Sequence, residues 1–272
     1  GEIYNYRELR VELEASGVSF KTESDTEVVL KLFESEGVES FKRLRGMFAI
    51  AIYDTDDKKL YLARDHFGIK PLYYWKRGNK IAAFASEIKS ILALKGFKAE
   101  VNDSAVYNYL SYQYNPLPET FFKGVYKLLP GHHLTIDLET GVFDIRKYFE
   151  TIFQPDKKLD EEETKKRILE TLEDSVSHHL IADVPVGSFL SGGVDSSIIA
   201  TLIQKLRGGE KKSLKTFTIG FESLSEGLEA KETSDPLGTD HTEINVSAEE
   251  YFEALPKVVY HFDEPVADPS AL

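Results

Sequence analysis

The sequence has 272 residues, 42% of them hydrophobic and 29% charged, which is typical of a globular protein with room for two domains. Its net charge of −13 argues against a nucleic-acid backbone as the main partner. The sequence shows neither an apolar run of about 18 residues, which would predict a membrane span, nor a signal peptide, which would predict export. The absence of cysteine excludes a disulfide framework and a thiolate metal site, and it fits a cytoplasmic location.

The first half of the chain alternates short helices with hairpins. A capping box at residues 24–27 opens one helix, and the apolar run at residues 47–53 predicts a hairpin with at least one strand buried on both faces. Hairpins flanked by helices indicate an antiparallel sheet layered with helices. The predicted elements are helices at 6–17, 24–37, 86–94 and 104–112, and strands at 47–53, 60–63, 72–75 and 81–85.

From about residue 161 strands alternate with helices, which indicates a parallel, doubly wound sheet with its ligand at the carboxyl ends of the strands. A charged helix is predicted at residues 161–180, and strands at 186–190, 214–220 and 242–246. The polar stretch at residues 154–158 is typical of a linker, so we place the domains at residues 1–150 and 159–272. Because the chain starts inside a patterned segment and ends directly after acidic turn signals, we expect an internal piece of a longer protein.

The strand at residues 186–190 breaks into a turn rich in serine and glycine and then into a helix predicted over residues 196–206. The small side chains of Ser191, Gly192 and Gly193 let a polyanion approach the backbone N–H groups, and the helix adds a positive dipole end. No Gly-Lys-Ser/Thr follows, so the loop is not of the Walker type. We predict a phosphate-binding loop, against the plainer alternative of a βα turn in which Ser191 caps the helix.

Asp195 follows the glycines, and two hydroxyls, Ser196 and Ser197, come after it. A carboxylate beside a phosphate is repelled unless a cation lies between them, so Asp195 is a candidate Mg²⁺ ligand. The whole string resembles the loop of the N-type ATP-pyrophosphatase superfamily. In that superfamily the loop holds the pyrophosphate that leaves ATP while a carboxylate or carbonyl is adenylated.

Further strings occur in a characteristic order around this loop. They are Gly1-Glu2-Ile3-Tyr4-Asn5, Ser24-Asp25-Thr26-Glu27, Arg64-Asp65-His66-Phe67-Gly68-Ile69-Lys70-Pro71-Leu72-Tyr73-Tyr74, Phe84-Ala85-Ser86-Glu87, Leu129-Pro130-Gly131-His132, Phe217-Thr218-Ile219-Gly220-Phe221 and Asp263-Glu264-Pro265-Val266-Ala267-Asp268-Pro269-Ser270. Together with the phosphate loop they resemble the glutamine-hydrolysing asparagine synthetases over nearly the whole chain. The resemblance implies a partial glutaminase domain of the Ntn-hydrolase αββα fold, followed by a partial Rossmann-like synthetase domain.

The resemblance also implies a function and its small-molecule substrates. An N-terminal cysteine attacks the glutamine amide, and the ammonia travels to a second site where ATP adenylates aspartate and pyrophosphate leaves. Ammonia then displaces AMP to give asparagine. Glutamine, aspartate, ATP and Mg²⁺ are therefore the expected ligands. Whether the longer protein forms a homodimer stays open, because the sequence does not reveal an oligomeric state.

In the glutaminase half, the resemblance matches Gly1 to the glycine whose N–H helps to form the oxyanion hole. It matches Glu2 and Asp25 to the carboxylates that hold the α-amino group of glutamine. From the residues alone, a surface charge is the favoured interpretation of Glu2 and a helix cap that of Asp25, although a cap and a ligand contact can coexist in Asp25. No cysteine occurs in the sequence, so we expect the chain by itself to be inactive in glutamine hydrolysis.

In the synthetase half, the resemblance maps Ser191, Gly192, Gly193, Asp195, Ser196 and Ser197 onto the pyrophosphate and Mg²⁺ contacts. It maps Leu190 and Ile219 onto adenosine-contacting positions at strand ends, although both also suit a plain β-core. For Asp263, Glu264 and Asp268, a place in the same crevice and an ordinary acidic turn around the prolines both stay open.

Two further features concern the histidine pairs, which are interpreted as structural, and a segment that departs from the family pattern. The histidine pairs 132–133 and 178–179 lack spaced partner ligands and are interpreted as structural. Residues 222–237 differ from the longer helix that is usual in the family, and Pro236 falls where a helix interior is expected. An interior proline costs about 3 kcal/mol, so we expect this helix to be shortened or distorted.

Three functions remain open on this sequence. The leading one is asparagine synthesis by the longer protein. A relative that amidates another carboxylate or closes a ring would share these motifs, because most of the acceptor pocket lies downstream. The third is a non-catalytic fragment that at most binds nucleotide.

Overall fold

The computed structural model describes residues 1–155, 160–208, 213–221 and 227–268. The chain divides into two compact units, of which the first comprises Gly1–Ile152 with Pro256–Leu272 and the second comprises Phe153–Leu255. No helix within the described ranges combines the length and the apolar character needed to cross a membrane.

The first unit carries two helices near its start. Leu9 and Leu13 lie one turn apart on α1 (Tyr6–Ala15) and are both buried. α2 (Asp25–Glu36) begins at Ser24, whose side chain accepts the Thr26 N–H, and it ends at Gly37 with φ of 59°. Its buried residues recur at helical spacing, so both helices cover one apolar layer, as their sequence pattern predicts.

The remaining elements of the first unit are strands and short helices. They are β1 (Glu2–Ile3), a 3₁₀ segment (Gly37–Arg43), β2 (Gly46–Met47), β3 (Ala49–Asp54), β4 (Lys59–Arg64), β5 (Tyr73–Arg77), β6 (Lys80–Ala85), α3 (Ile88–Leu92), α4 (Asp103–Tyr112), β7 (Val125–Lys127), β8 (His132–Asp137) and β9 (Phe143–Lys147). All of these strands pair antiparallel.

The strands form two larger sheets, in the orders β3-β4-β8-β9 and β6-β5-β7, and β1 pairs separately with β2. β3 is therefore an edge strand of its sheet as described. None of its residues is fully buried, although β4 beside it buries Leu62 and Ala63. The predicted hairpin therefore does have one strand buried on both faces, but it is β4 at residues 59–64, while β3 from the apolar run is only partly buried.

The buried side chains show four layers in the first unit. One core joins α1 and α2 to Ala63 of the first sheet, and a second joins Leu62, on the opposite face of β4, to Tyr74 of the second sheet and to Leu72 beside it. A third core packs α3 against Val125 and the far side of the second sheet. The order is therefore helix, sheet, sheet, helix, because side chains alternate between the two faces of each strand.

The second unit has a parallel sheet in the order β10-β11-β12, with consecutive strands as neighbours. Its core takes side chains from the helices and from the strand ends, including Val176, Leu190, Ala200 and Leu214. The elements are α5 (Glu161–His179), β10 (Gly187–Phe189), α6 (Val194–Leu206), β11 (Lys215–Phe221), α7 (Gly227–Leu237), β12 (Asp240–Val246) and α8 (Ala248–Phe262).

Two helices of this region bear on the sequence predictions. α7 ends one residue after Pro236, which thus lies in its last turn, and residues 222–226 of the atypical segment lie outside the described residues. α8 begins in the second unit, and its residues from Pro256 onward belong to the first. The structure therefore assigns the segment after α8 to the same compact unit as the first 152 residues.

Candidate functional site

Gly1 and Asp25 are brought together by the pairing of β1 with β2. The Asp25 carboxylate accepts the Ile3 N–H at 3.0 Å, while Ser24 and not Asp25 caps α2. A Cβ on Gly1 would lie 2.6 Å from the Met47 carbonyl oxygen and 2.9 Å from the Phe48 Cα, so no side chain fits there. The close packing of Gly1 and the hydrogen bond from the Ile3 N–H to Asp25 hold residues 1–3 beside the start of α2.

A cavity of about 750 Å³ opens beside these residues. Its lining includes Gly1, Asp25 and the length of β3, whereas Glu2 does not line it and is exposed. Of the three residues predicted to bind glutamine, Gly1 and Asp25 therefore line one cavity, and Glu2 does not, although it follows Gly1 in the sequence. The Asp25 carboxylate already holds one N–H, so a ligand ammonium would share that carboxylate with Ile3.

Glu27 behaves differently from the capping box that the sequence predicts. Instead of the Ser24 N–H, its carboxylate accepts the N–H groups of Lys21 at 2.8 Å and Thr22 at 2.7 Å, with the Thr22 hydroxyl at 2.5 Å. These hydrogen bonds, led by the Thr22 hydroxyl, lower the pKa of Glu27. The loop before α2 is thereby held against the helix on the rim of the cavity.

Asp65 supports this site through Phe48, although the sequence predicted no role for it beyond its place in the family string. It is fully buried, and its carboxylate accepts the N–H groups of Phe48, Phe67, Ile69 and Lys70 at 2.9–3.3 Å. Phe48 is the residue against which Gly1 packs. The only signal in the sequence was the compact Arg-Asp-His-Phe-Gly turn after an apolar strand.

Arg64 and His66 flank Asp65 and complete the same turn. The Arg64 guanidinium donates to the carbonyl groups of Gly68, Lys70 and Leu128, and burial lowers its pKa. Burial also lowers the pKa of His66, whose ring lies 4.2 Å from the Phe149 ring and whose Nε2 is a buried atom without a partner among the described residues. The three residues hold residues 65–70 in one conformation.

The predicted phosphate loop lies where parallel strand β10 ends and α6 begins. Gly193 is the N-cap of α6, and Gly192, Gly193, Val194 and Asp195 are all exposed. The first hydrogen bond of the helical ladder runs from Ser197 N to Gly193 O at 3.2 Å. The N–H groups of residues 194–196 therefore precede the ladder and face the direction from which an anion would approach.

Serine hydroxyls hold this loop in shape. Ser191 Oγ lies 2.8 Å from Ser196 Oγ and accepts the Gly193 N–H at 3.2 Å. Ser197 Oγ donates to Gly193 O at 2.9 Å and lies 3.1 Å from Thr233 Oγ1 of α7. All three serine hydroxyls predicted to contact phosphate thus have partners within the protein, which they would exchange or share when an anion binds.

Leu190 and Ile219 occupy different environments. Leu190 is 2% exposed, its side chain lies in the core, and its backbone is bound by Phe217 O and by the Thr218 hydroxyl of β11. Ile219 is 49% exposed on β11. Only Ile219 offers side-chain surface to a ligand, while Leu190 positions the carboxyl end of β10.

The acidic residues after α8 contact residues of the first unit. Asp263 pairs with Lys89, and Glu264 pairs with Lys127. Asp268 is exposed. The structure thus places Asp263 and Glu264 in ion pairs and gives no support to their alternative role in lining the phosphate site.

The histidine pairs make local contacts. His133 is buried on β8, and its ring centroid lies 5.9 Å from that of Phe41. His178 and His179 each hydrogen-bond a carbonyl one turn earlier in α5. Within the described ranges, no group of three or more His, Cys, Asp or Glu side chains is placed to hold a metal ion.

Comparison with protein families gives two matches that divide the chain near the predicted linker. The family model described as glutamine amidotransferase domain matches residues 1–149, and the one described as asparagine synthase matches residues 167–272. The first match covers the cavity with Gly1 and Asp25. The second covers the β10–α6 loop.

Relatives that are similar over nearly the whole chain carry two kinds of name. The chain is 44% identical to asparagine synthetase [glutamine-hydrolyzing] 1 of Bacillus subtilis over 100% of its length and 42% of that protein. It is 32% identical to asparagine synthetase B of Escherichia coli (97% of this chain, 44% of that protein) and 33% identical to amidase chry2 of Gibberella zeae (98% and 41%).

One solved structure is similar to the chain at 12% sequence identity: glutamine-dependent NAD+ synthetase from Acinetobacter baumannii in complex with ADP. The similarity covers 98% of this chain and 66% of the chain in that structure. Its TM-score is 0.30, and a likeness this weak supports no structural argument. The chain spans less than half the length of the three curated relatives named above. On the two family matches and these identities, the chain belongs to the family of glutamine-hydrolysing asparagine synthetases.

Proposed function

We propose that the longer protein makes L-asparagine from L-aspartate and ATP, with ammonia released from glutamine. The observation that carries the proposal is the exposed loop at residues 191–197, in which Gly193 caps α6 directly after a parallel strand. That arrangement suits the pyrophosphate of ATP. The chain alone lacks a cysteine nucleophile, so the complete reaction belongs to the longer protein.

We infer the finer fold assignments from the layers and the strand directions. The helix–sheet–sheet–helix order of the first unit is that of the αββα Ntn-hydrolase fold. The parallel β10-β11-β12 sheet with its flanking helices fits a Rossmann-like synthetase domain. We keep the domains at residues 1–150 and 159–272, and a cytoplasmic location and a homodimer remain proposals for the longer protein.

In the glutamine half, the cavity beside Gly1 and Asp25 would receive the substrate. The Gly1 N–H would donate to the oxyanion that forms when the thiolate of a cysteine supplied by the longer protein attacks the amide. Asp25 would accept the substrate ammonium, and Glu2, which does not line the cavity, would have to turn towards it to share that role. The sulfur–carbon bond forms, the carbon–nitrogen bond breaks as the amide nitrogen takes the proton lost by the thiol and leaves as ammonia, and water then hydrolyses the thioester to glutamate.

In the synthetase half, an oxygen of the aspartate side chain attacks the α-phosphorus of ATP and pyrophosphate leaves. A carboxylate oxygen is a poor leaving group and AMP is a good one, so this activation lets ammonia displace AMP and form the amide. The N–H groups of the β10–α6 loop would bind the departing pyrophosphate, and Ile219 would contact the adenosine. These donors act where negative charge develops.

The residues present fit a magnesium ion bound together with nucleotide. Mg²⁺ is commonly held by one or two carboxylates plus substrate phosphates, and Asp195 supplies one exposed carboxylate in the first turn of α6. When bound, the ion would neutralise charge on the phosphates. The lack of a protein-only metal cluster among the described residues agrees with a site that phosphate completes.

A second candidate acceptor is favoured by one relative. The amidase chry2 of Gibberella zeae is 33% identical to this chain, so the same framework occurs under a name other than asparagine synthetase. Release of pyrophosphate by the full-length protein distinguishes the acceptors. Strict dependence on aspartate supports asparagine synthesis, and turnover with another carboxylate in its place supports the alternative. If ATP binds but no carboxylate supports release, a nucleotide-binding role remains.

Replacing Asp195 by alanine tests the role of the loop. In the full-length protein we expect Asp195→Ala to lower pyrophosphate release by at least about 100-fold, because the carboxylate helps to hold the charged leaving group. Glutamine hydrolysis should persist, since its residues lie in the first unit. Both rates can be measured on the same preparation.

Asp103→Ala is the matched control, because Asp103 is also an exposed acid in the first turn of a helix, α4. It should leave pyrophosphate release within about twofold of the parent, since it removes only a contribution to the helix dipole. Equal losses in both variants, or survival of both activities in Asp195→Ala, would show that Asp195 does not serve the leaving group.

A further inference from the structure

Two acidic residues directly after α8 are held by cations of the first unit. Asp263 Oδ1 lies 3.0 Å from Lys89 Nζ, and Glu264 Oε2 lies 3.5 Å from Lys127 Nζ. Only 6% of the Asp263 side chain and 12% of the Glu264 side chain is exposed. We name Asp263, Glu264, Lys89 and Lys127 the acidic anchor.

The Lys89 half of the anchor has several partners. The ammonium also contacts Glu87 at 2.9 Å, and it lies 5.2 Å from the ring centroid of Tyr260, in the last turn of α8. Asp263 adopts φ of 65°, a left-handed conformation that is uncommon for residues other than glycine. At the end of a helix this conformation is common, and the Asp263 N–H donates to the Val259 carbonyl at 2.9 Å.

The Glu264 half adds a backbone hydrogen bond. Glu264 Oε1 accepts the Phe121 N–H at 2.7 Å, while its other oxygen faces Lys127. Tyr73 lies in the same surroundings: burial, and next the charge of Glu264, raise the pKa of Tyr73 to about 12. The carboxylate is thus held by a cation on one oxygen and a backbone amide on the other.

These contacts differ from those of ordinary surface pairs. Asp144 with Arg146 and Glu150 with Lys147 are pairs in the same unit whose acidic side chains are 55% and 61% exposed. Exposed pairs of this kind stabilise a protein little, whereas removal of one partner from an enclosed pair leaves the other desolvated. An acidic turn needed only for solubility would not bury both carboxylates.

We propose that the acidic anchor is a positioning device that fixes the end of α8 to the glutamine amidotransferase domain and so couples glutamine hydrolysis to synthesis. α8 starts in the second unit, and residues 167–272 match the asparagine synthase family, yet the end of that match is held by residues within 1–149. A chain segment shared in this way can carry the state of one site to the other. The inference rests on the proposed function.

The test uses the full-length protein and the double variant Asp263→Asn/Glu264→Gln. It removes both charges and keeps the shapes, and asparagine tolerates the left-handed backbone. We expect the stimulation of glutamine hydrolysis by aspartate and ATP to fall at least about fivefold, the lower end of usual coupling between sites. Unstimulated glutamine hydrolysis and ammonia-dependent synthesis should stay within about twofold, since neither residue belongs to either site.

The control variant Asp144→Asn/Glu150→Gln removes two exposed charges from the same unit and should leave the stimulation unchanged. Charge reversal provides the rescue: Lys127→Glu and Glu264→Lys should each reduce coupling, and their combination should recover part of it. Unchanged stimulation in the anchor variant, or equal loss of coupled and uncoupled activities, would overturn the proposal.

A readout independent of activity separates this inference from the proposed function. Hydrogen exchange of the Phe121 amide should accelerate in Glu264→Ala, which removes its acceptor, and stay unchanged in Glu150→Ala. Faster exchange in a protein that does not make asparagine would uphold the anchor and overturn the proposed function. Unchanged exchange would overturn the anchor even if asparagine is made.

Discussion

The carboxylate of Asp65 accepts four backbone N–H groups, and one of them belongs to Phe48, against which Gly1 packs. At the scale of single residues the sequence predicted the position of the Ser-Gly loop, but it did not predict the residues that support the cavity beside Gly1. The position of this loop could be predicted because serine and glycine residues between an apolar strand and a helical pattern mark a turn. The supports depend on contacts distant in sequence, and their residues have side chains that also suit turns or caps.

Asp65→Ala should destabilise the first unit by at least about 3 kcal/mol, because it leaves several buried N–H groups without an acceptor. Asp65→Asn should lose less, since one carbonyl oxygen remains. Chemical denaturation of the protein measures both. The matched control is Asp54→Ala, which removes an acceptor of two N–H groups in an exposed hairpin turn. If Asp65→Ala costs no more than this control, the turn does not depend on the carboxylate.

At the scale of elements, period and capping identified α1 and α2, while β7, β8 and β9 were not predicted. Strand β7 has three residues, and four of the five residues of β9 are exposed, so neither shows the alternation of a half-buried strand. β8 alternates imperfectly because His133 is buried beside Leu134. The place of β8 in the sheet depends on its pairing with β4, which lies some 70 residues earlier in the chain, so the local sequence pattern does not reveal it.

β8 also makes the first unit sensitive to acid. Burial, and next the charge of Arg146, lower the pKa of His133 below its ordinary value of 6.5. The unfolded chain therefore binds a proton at this position more readily than the folded one. Its contribution to the free energy of unfolding is present above pH 6.5 and is lost as the pH falls through the lowered pKa.

We expect the free energy of unfolding to fall between pH 7 and pH 5, and to fall less in His133→Phe, which keeps an aromatic ring near Phe41 and cannot bind the proton. Denaturation curves at several pH values give the slope for each protein. His66, whose pKa burial also lowers, should leave some slope in the variant. A variant slope equal to or steeper than that of the parent would refute the role assigned to His133.

At the scale of the whole molecule, composition and the change of pattern near residue 155 predict two domains, and the two family models match residues 1–149 and 167–272. The assignment of the segment after α8 to the first unit could not be predicted. It depends on the hydrogen bond from Phe121 to Glu264, which are 143 residues apart, and on ion pairs whose members suit any acidic turn. Local patterns carry no information about partners at that distance.

Hydrogen exchange of the backbone amides at residues 191–197 in the full-length protein tests most directly whether this loop holds the phosphates of ATP. With magnesium and ATP at about ten times the dissociation constant, amides that bind the nucleotide should exchange about tenfold more slowly. We predict that slowing at the start of α6, with no comparable change at the start of α5 or α4. Nucleotide binding that leaves these amides unprotected, or protects a different helix start, would contradict the account.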